Sequence, residues 1–471
     1  MKKAIIFIIA AFFVSGTATA QHTFRSAYFL DGYNLRHEFN PAFAPVSSYF
    51  SLPVSGAFNL QTQSNLGVST FLYPVNGKLT TFMNSSVQAD EFLSKLKPDN
   101  LLSLDNRVSL LSLGIRSKKS YITFDVNIKS SAAVNLPYSL FDFIKNAGES
   151  QNYNISDLSA RMNGVAEAAF GYSRQISDRL SVGARIKLLA GLMNADADID
   201  RMDIQMNEDK WIIQSHGTMK TSSFAKIPTK GETGAEIDKP SDRDLLDFDG
   251  IESGGAIVNG YGAALDLGIV AKVIDGLKVS LAVNDLGYIL WKNTMVAQTS
   301  GEGWSFEGFE DIDLNGGNEN SIKNQFDDLT DEVMDMFDFR RTDQNATEGR
   351  MLSATVNAGI EYSMPFYRNL TAGLMGSTHI NGTFSWSEAR LFANLKPVKW
   401  FSCSANYGLS KFGSSFGTAI GFHTTGFSLF IGSDHLQFNW AKATEDGILY
   451  PYKKLNTSVN FGISFNLGRR P

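Results

Sequence analysis

Three polar residues, Ser177-Asp178-Arg179, divide two long alternating runs within 163–191. Before the break, Gly164, Ala166, Ala168, Phe170, Tyr172 and Ile176 share one parity, opposite Asn163, Val165, Glu167, Ala169, Gly171, Ser173 and Gln175. After it, Leu180, Val182, Ala184, Ile186, Leu188 and Ala190 oppose Ser181, Gly183, Arg185, Lys187 and Leu189. Period-two alternation marks a strand with one apolar and one polar face, and two such strands about a short polar break make a hairpin. Each arm keeps the pattern for about 11–12 residues. Globular strands run to roughly 5–6 residues, whereas a tilted strand crossing a bilayer needs about 9–11. The pattern therefore fits a long sandwich hairpin or one hairpin of a membrane barrel.

The unit recurs. Alternation fills 261–273, breaks at Ile274-Asp275-Gly276 and resumes at Leu277, Val279, Leu281 and Val283. It fills 352–364, breaks at Tyr367-Arg368-Asn369 and resumes at Leu370, Ala372 and Leu374. A fourth unit runs through Ala389, Leu391, Ala393 and Leu395, breaks at Lys396-Pro397 and continues through Phe401, Cys403, Ala405 and Tyr407. A further strand pair is expected over 108–116 and 121–128, about Ser117-Lys118-Lys119-Ser120. Breaks within units are short, while 192–258 and 285–350 between units each exceed 60 residues. Short turns at one end and long loops at the other are the habit of an outer-membrane barrel, with the short turns periplasmic. The spacing is too irregular for a solenoid.

The chain ends on its cleanest strand, with Thr457, Val459, Phe461, Ile463, Phe465 and Leu467 opposite Ser458, Asn460, Gly462, Ser464, Asn466 and Gly468. A barrel in lipid must close its last strand on its first, because an open edge leaves backbone groups unpaired.

At the other end, a basic head at Lys2-Lys3, an apolar run over 4–14 and Ala18-Thr19-Ala20 make a secretory signal over 1–20, excluded from the fold. The alternative, an N-terminal anchor, is disfavoured because the apolar run falls short of the ~20 residues of a spanning helix. Past residue 20 no apolar run reaches helical spanning length, which leaves a barrel allowed. The net charge of −6 becomes −8 without Lys2 and Lys3, and an acidic chain disfavours nucleic-acid binding. Cys403 has no cysteine partner and reads as a small buried hydrophobe on the apolar parity of its strand. Short helices are expected over 84–101 and 136–146, and an amphipathic one over 321–340, a packing helix of its loop or a lid.

With the signal, the hairpins and the terminal strand stands Asn40-Pro41-Ala42, inside a non-strand N-terminal segment. On these residues the chain resembles the FadL/PorV-like outer-membrane β-barrel superfamily, as an uncharacterised domain family within it. The resemblance implies a plug of residues 21–47 in the lumen, carrying the Asn40-Pro41-Ala42 box, ahead of about 14 strands over 48–468. FadL-type barrels pass hydrophobic small molecules; PorV-type barrels serve protein secretion and surface attachment. No motif here separates the two. The terminal strand ends in Leu467 and Gly468-Arg469-Arg470-Pro471, not in the aromatic residue that favours barrel assembly.

No catalytic constellation emerges: there is no Gly-x-Ser-x-Gly elbow, phosphate loop or His-Glu-x-x-His pair. Asp196, Asp198 and Asp200 alternate, but Arg201 and Asn207 stand where an EF-type calcium loop needs glycine and glutamate. A strand above the membrane is the favoured reading of that stretch, with a looser calcium site as its alternative. Opposite the apolar face, Glu167, Arg185, Lys187, Asp266, Lys272, Lys278 and Glu361 would point into a barrel lumen, and their mixed signs suggest an interior laced with salt bridges.

The expectation is an all-β chain: a closed antiparallel up-and-down outer-membrane barrel of about 14 strands, with the N-terminal plug and long extracellular loops near 74–105, 192–258, 285–350 and 433–456 carrying short helices. It would reach the outer membrane by Sec-type export, contact membrane lipid, need no cofactor, and bind or pass a hydrophobic small molecule without catalysis. The alternatives are a structural or secretion-associated barrel that binds a surface protein, and a soluble exported β-sandwich with an adhesive role.

Overall fold

The computed structural model describes residues 24–467, apart from 31, 53–55, 76–77, 148–151, 207–210, 236, 238–239, 302–303, 307–336, 338 and 443–448. The signal segment 1–20, and the expected helix over 321–340 as far as residue 336, lie outside these residues. From 339 onward that stretch is strand.

Fourteen wall strands form one ring. The first, β1, comes in two pieces, Ser48–Ser51 and Phe58–Ser64. Then follow β2 (Asp99–Ser117), β3 (Ser120–Pro137), β4 (Asn152–Ser177), β5 (Leu180–Met206), β6 (Gly260–Ile274) and β7 (Leu277–Thr299). The eighth, β8, joins Phe339–Met351 to Ala354–Ser363. The ring continues with β9 (Leu370–Ile380), β10 (Trp386–Val398), β11 (Phe401–Ser410), β12 (Gly413–His423), β13 (Phe427–Ser433) and β14 (Thr457–Leu467). Each pairs antiparallel with its chain neighbours. Closure is direct: both pieces of β1 pair with β14, at Phe50↔Phe465 and Phe58↔Phe461. The ring thus has no open edge strand, as lipid demands.

Side-chain polarity is inverted relative to a water-soluble fold. Phe170, Ile186, Leu188, Leu391 and Tyr407 are at least half exposed, while Arg107, Asp125, Lys187, Asp266 and Arg390 are buried. A single closed sheet with an apolar outside and a charged inside rules out the sandwich, whose apolar faces would meet each other. The inversion also corrects the reading of Cys403. Its parity faces outward, so the thiol is half-exposed, while its neighbours Ser402 and Ser404 are buried within.

Strand lengths exceed the expectation. β4 and β5 run for 26 and 27 residues. At about 3.3 Å per residue, that is well over twice the roughly 30 Å hydrocarbon thickness. Much of the expected loops 192–258 and 285–350 is thus wall, continued beyond the apolar belt. A strand over Trp211–Ser222 pairs with the upper part of β5 and, across Thr218–Thr221, with the end of β7. This upper tier has its own core of Ile155, Ile199, Met202, Ile204, Ile213, Leu246 and Phe339. The helix expected over 84–101 is confined to Ala89–Leu93, because β2 already starts at Asp99; the one expected over 136–146 is Tyr138–Asn146.

Residues 24–30 and 32–43 lie against the inner faces of the wall. Two 3-10 turns, Arg25–Ala27 and Arg36–Glu38, carry Phe24, Tyr28, Phe29, Tyr33 and Phe39 into contact with the wall side chains Tyr49, Tyr121, Phe392 and Phe430. The rings of Tyr33 and Phe430 meet edge to face at 4.7 Å, and those of Phe29 and Phe392 at 5.1 Å.

Candidate functional site

The N-terminal segment is tied to the wall at both ends. At its start, Asp434 accepts the backbone N–H groups of Arg25 (3.0 Å) and Ser26 (2.6 Å). These are the free donors of the first 3-10 turn, which a carboxylate satisfies well. The Arg25 guanidinium reaches Glu388 at 3.1 Å, and Glu388 also holds Arg390. At the other end, Asn40 donates to the carbonyls of Ile269 (3.1 Å) and Leu281 (3.2 Å), and its own Oδ1 accepts the N–H of Ala42 (2.9 Å). The Asn-Pro-Ala step is thus an Asx-type turn seated on β6 and β7. The neighbouring Phe39 carbonyl accepts from Asn284 (2.9 Å) and Asn357 (3.2 Å).

Between these anchors lies a buried ionic network. Arg185 bridges Asp125 (2.8 Å) and Asp266 (3.1 Å). Lys187 touches Asp266 (2.8 Å), Asp285 (2.6 Å) and, further off, Glu167 (3.7 Å). Lys129 pairs with Glu167, and Arg107 with Glu38 of the N-terminal segment. His37 closes the set on Asp125 at 2.9 Å. Burying so many charges is tolerable only because each meets an opposite partner.

One backbone device makes this possible. Between Leu265↔Leu286 and Leu267↔Val283, two residues of β7 oppose Asp266 of β6, and Asp285 takes φ +59°. This β-bulge sends both Asn284 and Asp285 inward, where strict alternation would turn one of them to lipid. Asn284 then reaches the N-terminal segment, and Asp285 reaches Lys187.

The sequence-derived residues divide accordingly. Glu167, Arg185, Lys187 and Asp266 meet in the network. Glu361 is buried but pairs with Lys278 at 3.3 Å, near the short-turn end. Lys272 is exposed and pairs with Asp275 at 3.0 Å. It sits too close to the β6–β7 turn to enter the lumen. Asp196 is held by Arg161 (2.7 Å) and by Arg350, while Asp200 is exposed on the same strand. Asp125, Lys129, Arg107 and Asp285 join the network without having been singled out. The first two stand on the polar parity of β3, where the same alternation could have found them.

Above the network, toward the long loops, lies a cavity of about 480 Å³. Leu101, Val165, Leu189, Phe384 and Phe412 line its sides, and Lys129, Glu167 and Asp285 form part of its lining toward the network. Below, within the network, the space falls to about 20 Å³.

A closed fourteen-strand ring with an apolar outside, a charged inside and its short turns at one end defines an outer-membrane-type β-barrel. Over residues 41–434 the chain matches the sequence profile described as "Family of unknown function (DUF5723)", and it belongs to that family. No curated protein matches it at a significant level. Among solved structures it is similar to the Ralstonia pickettii toluene transporter TbuX (9% identity, 94% of this chain and 93% of that one, TM-score 0.39). It is likewise similar to the Pseudomonas putida toluene transporter TodX (10%, 95% and 95%, TM-score 0.38). A third is a Pseudomonas aeruginosa FadL homologue (10%, 93% and 92%, TM-score 0.36).

Proposed function

We propose that this barrel lies in the outer membrane after Sec-type export, and takes up a small hydrophobic molecule in the cavity beneath its long loops. Residues 21–47 act as the plug under that cavity. Binding and passage involve no catalysis. The observation that carries this reading is the cavity itself: apolar side chains on its walls, with Asp105, Arg161, Arg350 and His379 among them, a charged floor and room for a small molecule.

The test is a cavity-filling substitution. The mature chain, extracted in mild detergent, is titrated with the hydrophobic fluorophore N-phenylnaphthylamine. Val165→Trp should abolish saturable binding while leaving intact the difference in gel migration between boiled and unboiled samples. Binding unchanged by Val165→Trp would count against the cavity as the site.

A second reading, a secretion-associated or structural barrel that docks a surface protein, draws support from the upper tier. β4, β5 and the strand Trp211–Ser222 stand beyond the belt on a hydrophobic core of their own. It predicts a stable co-purifying protein and no saturable fluorophore binding.

A further inference from the structure

We infer that the short-turn end of the barrel binds the phosphate headgroups of anionic lipids through a ring of basic side chains. The inference rests on the membrane location proposed above.

Lys118 and Lys119 occupy the β2–β3 turn, Arg179 the β4–β5 turn, Arg368 the β8–β9 turn, and Lys396 and Lys399 flank the β10–β11 turn. All but Lys396, which is half-buried, are exposed. Carboxylates at this end are fewer than basic groups, and one of them, Asp178, stands exposed beside Arg179 in the β4–β5 turn. Asp275 is shared by Lys272 and Arg368, each at 3.0 Å. Glu361 is buried and taken by Lys278. Among the described residues, Lys118, Lys119, Arg179, Lys396 and Lys399 form no ion pair. The whole chain carries −6, so this end opposes the overall sign.

The placement selects the partner. Each basic group stands just past the last outward apolar side chains of its strands. Ile176 precedes Arg179, Phe366 and Tyr367 precede Arg368, and Val398 and Trp400 flank Lys399, all of them exposed. Trp and Tyr mark the headgroup level of a bilayer. A Lys or Arg there lays its stem on apolar surface and lifts its charge to the phosphates. From the β2–β3 turn to the β10–β11 turn is eight strand positions, on the order of 40 Å of wall at ~4.8 Å per strand. A peptide would have to wrap about 12 extended residues around the barrel to meet them all, whereas the lipid annulus already follows that arc. Anionic headgroups attract basic clusters over about a Debye length.

The experiment uses the mature full chain in nanodiscs of phosphatidylcholine with an equal share of phosphatidylglycerol. The lipids retained on the released barrel are counted by native mass spectrometry. The wild type should retain phosphatidylglycerol with about fivefold preference, shrinking at high salt. A variant combining Lys118→Gln, Lys119→Gln, Arg179→Gln, Lys396→Gln and Lys399→Gln should lose that preference and keep the boiled-versus-unboiled gel shift. Equal retention of both lipids by the wild type, an undiminished preference in the variant, or an acidic protein retained in place of lipid overturns the inference. A chain that inserts into no bilayer and shows no gel shift overturns both the inference and the membrane location; a normal shift with no lipid preference overturns the inference alone.

Discussion

Gly183 of β5 and Gly268 of β6 face each other across the ladder, and the Asn40-Pro41-Ala42 turn lies where their side chains would be. A Cβ on Gly183 would run into the Pro41 carbonyl and the Ala42 nitrogen; one on Gly268 would run into the Asn40 amide and the proline ring. The wall is therefore shaped for this turn, and the two glycines belong to the same docking site as the box.

Gly183→Val should expel the turn, because the clash is with backbone that cannot swing aside. Overpacking of this kind costs roughly 1–3 kcal/mol. The expected result is a barrel that still shows its gel shift, with a lower melting temperature and faster proteolysis within 24–45. Gly376→Ala is the control, since nothing stands within 4 Å of its added Cβ. Equal protease resistance in Gly183→Val and the wild type would contradict the docking.

Asp266→Asn should be the more damaging change. Asp266 serves Arg185 and Lys187 at once, and removing its charge leaves two buried cations short of a partner. Breaking a buried ion pair from one side costs about 3–5 kcal/mol. Lys272→Gln at the exposed turn should stay within about 0.5 kcal/mol. Urea unfolding in lipid vesicles measures both, and similar midpoints for the two variants would refute the network's role.

The alternation made the hairpins, their facing and the closing strand legible, because a barrel wall obeys period two wherever lipid touches it. Glu167, Arg185, Lys187 and Asp266 could be read inward for that reason. Asp285 could not: its bulge breaks the parity, and nothing local in Asn284-Asp285 announces a positive φ beyond the tolerance of Asp for it. The partners Glu38 and His37 come from an irregular segment without periodicity, so only the assembled lumen brings them to Arg107 and Asp125. Strand ends were missed where the wall leaves the bilayer, since polar residues then suit both faces.

The two anchors of the N-terminal segment should contribute unequally. Asn40→Ala removes two neutral hydrogen bonds to the wall, each worth about 0.5–1.5 kcal/mol. Asp434→Ala strips the two N–H groups of Arg25 and Ser26 and removes a carboxylate beside Arg25, and groups left without a partner in a buried site cost more. Thermal melts should therefore rank wild type above Asn40→Ala and Asn40→Ala above Asp434→Ala. The reverse order would mean that the Asn-Pro-Ala end, not the start, holds the segment in place.

Calcium should have no effect at the alternating aspartates. Asp196 already accepts two guanidinium groups, Arg161 and Arg350, which occupy the oxygens a cation would need. Hard-cation sites use six or more oxygen ligands, and the exposed Asp200, with the exposed Asp157 opposite it on β4, offers far fewer. The melting temperature of the detergent-extracted chain should be the same in excess calcium and in excess chelator. Asp196→Ala should lower it in both, because two half-buried arginines lose their carboxylate acceptor. A melting temperature that rises with calcium in the wild type and not in Asp196→Ala would instead establish a metal site there, and would require both arginines to move.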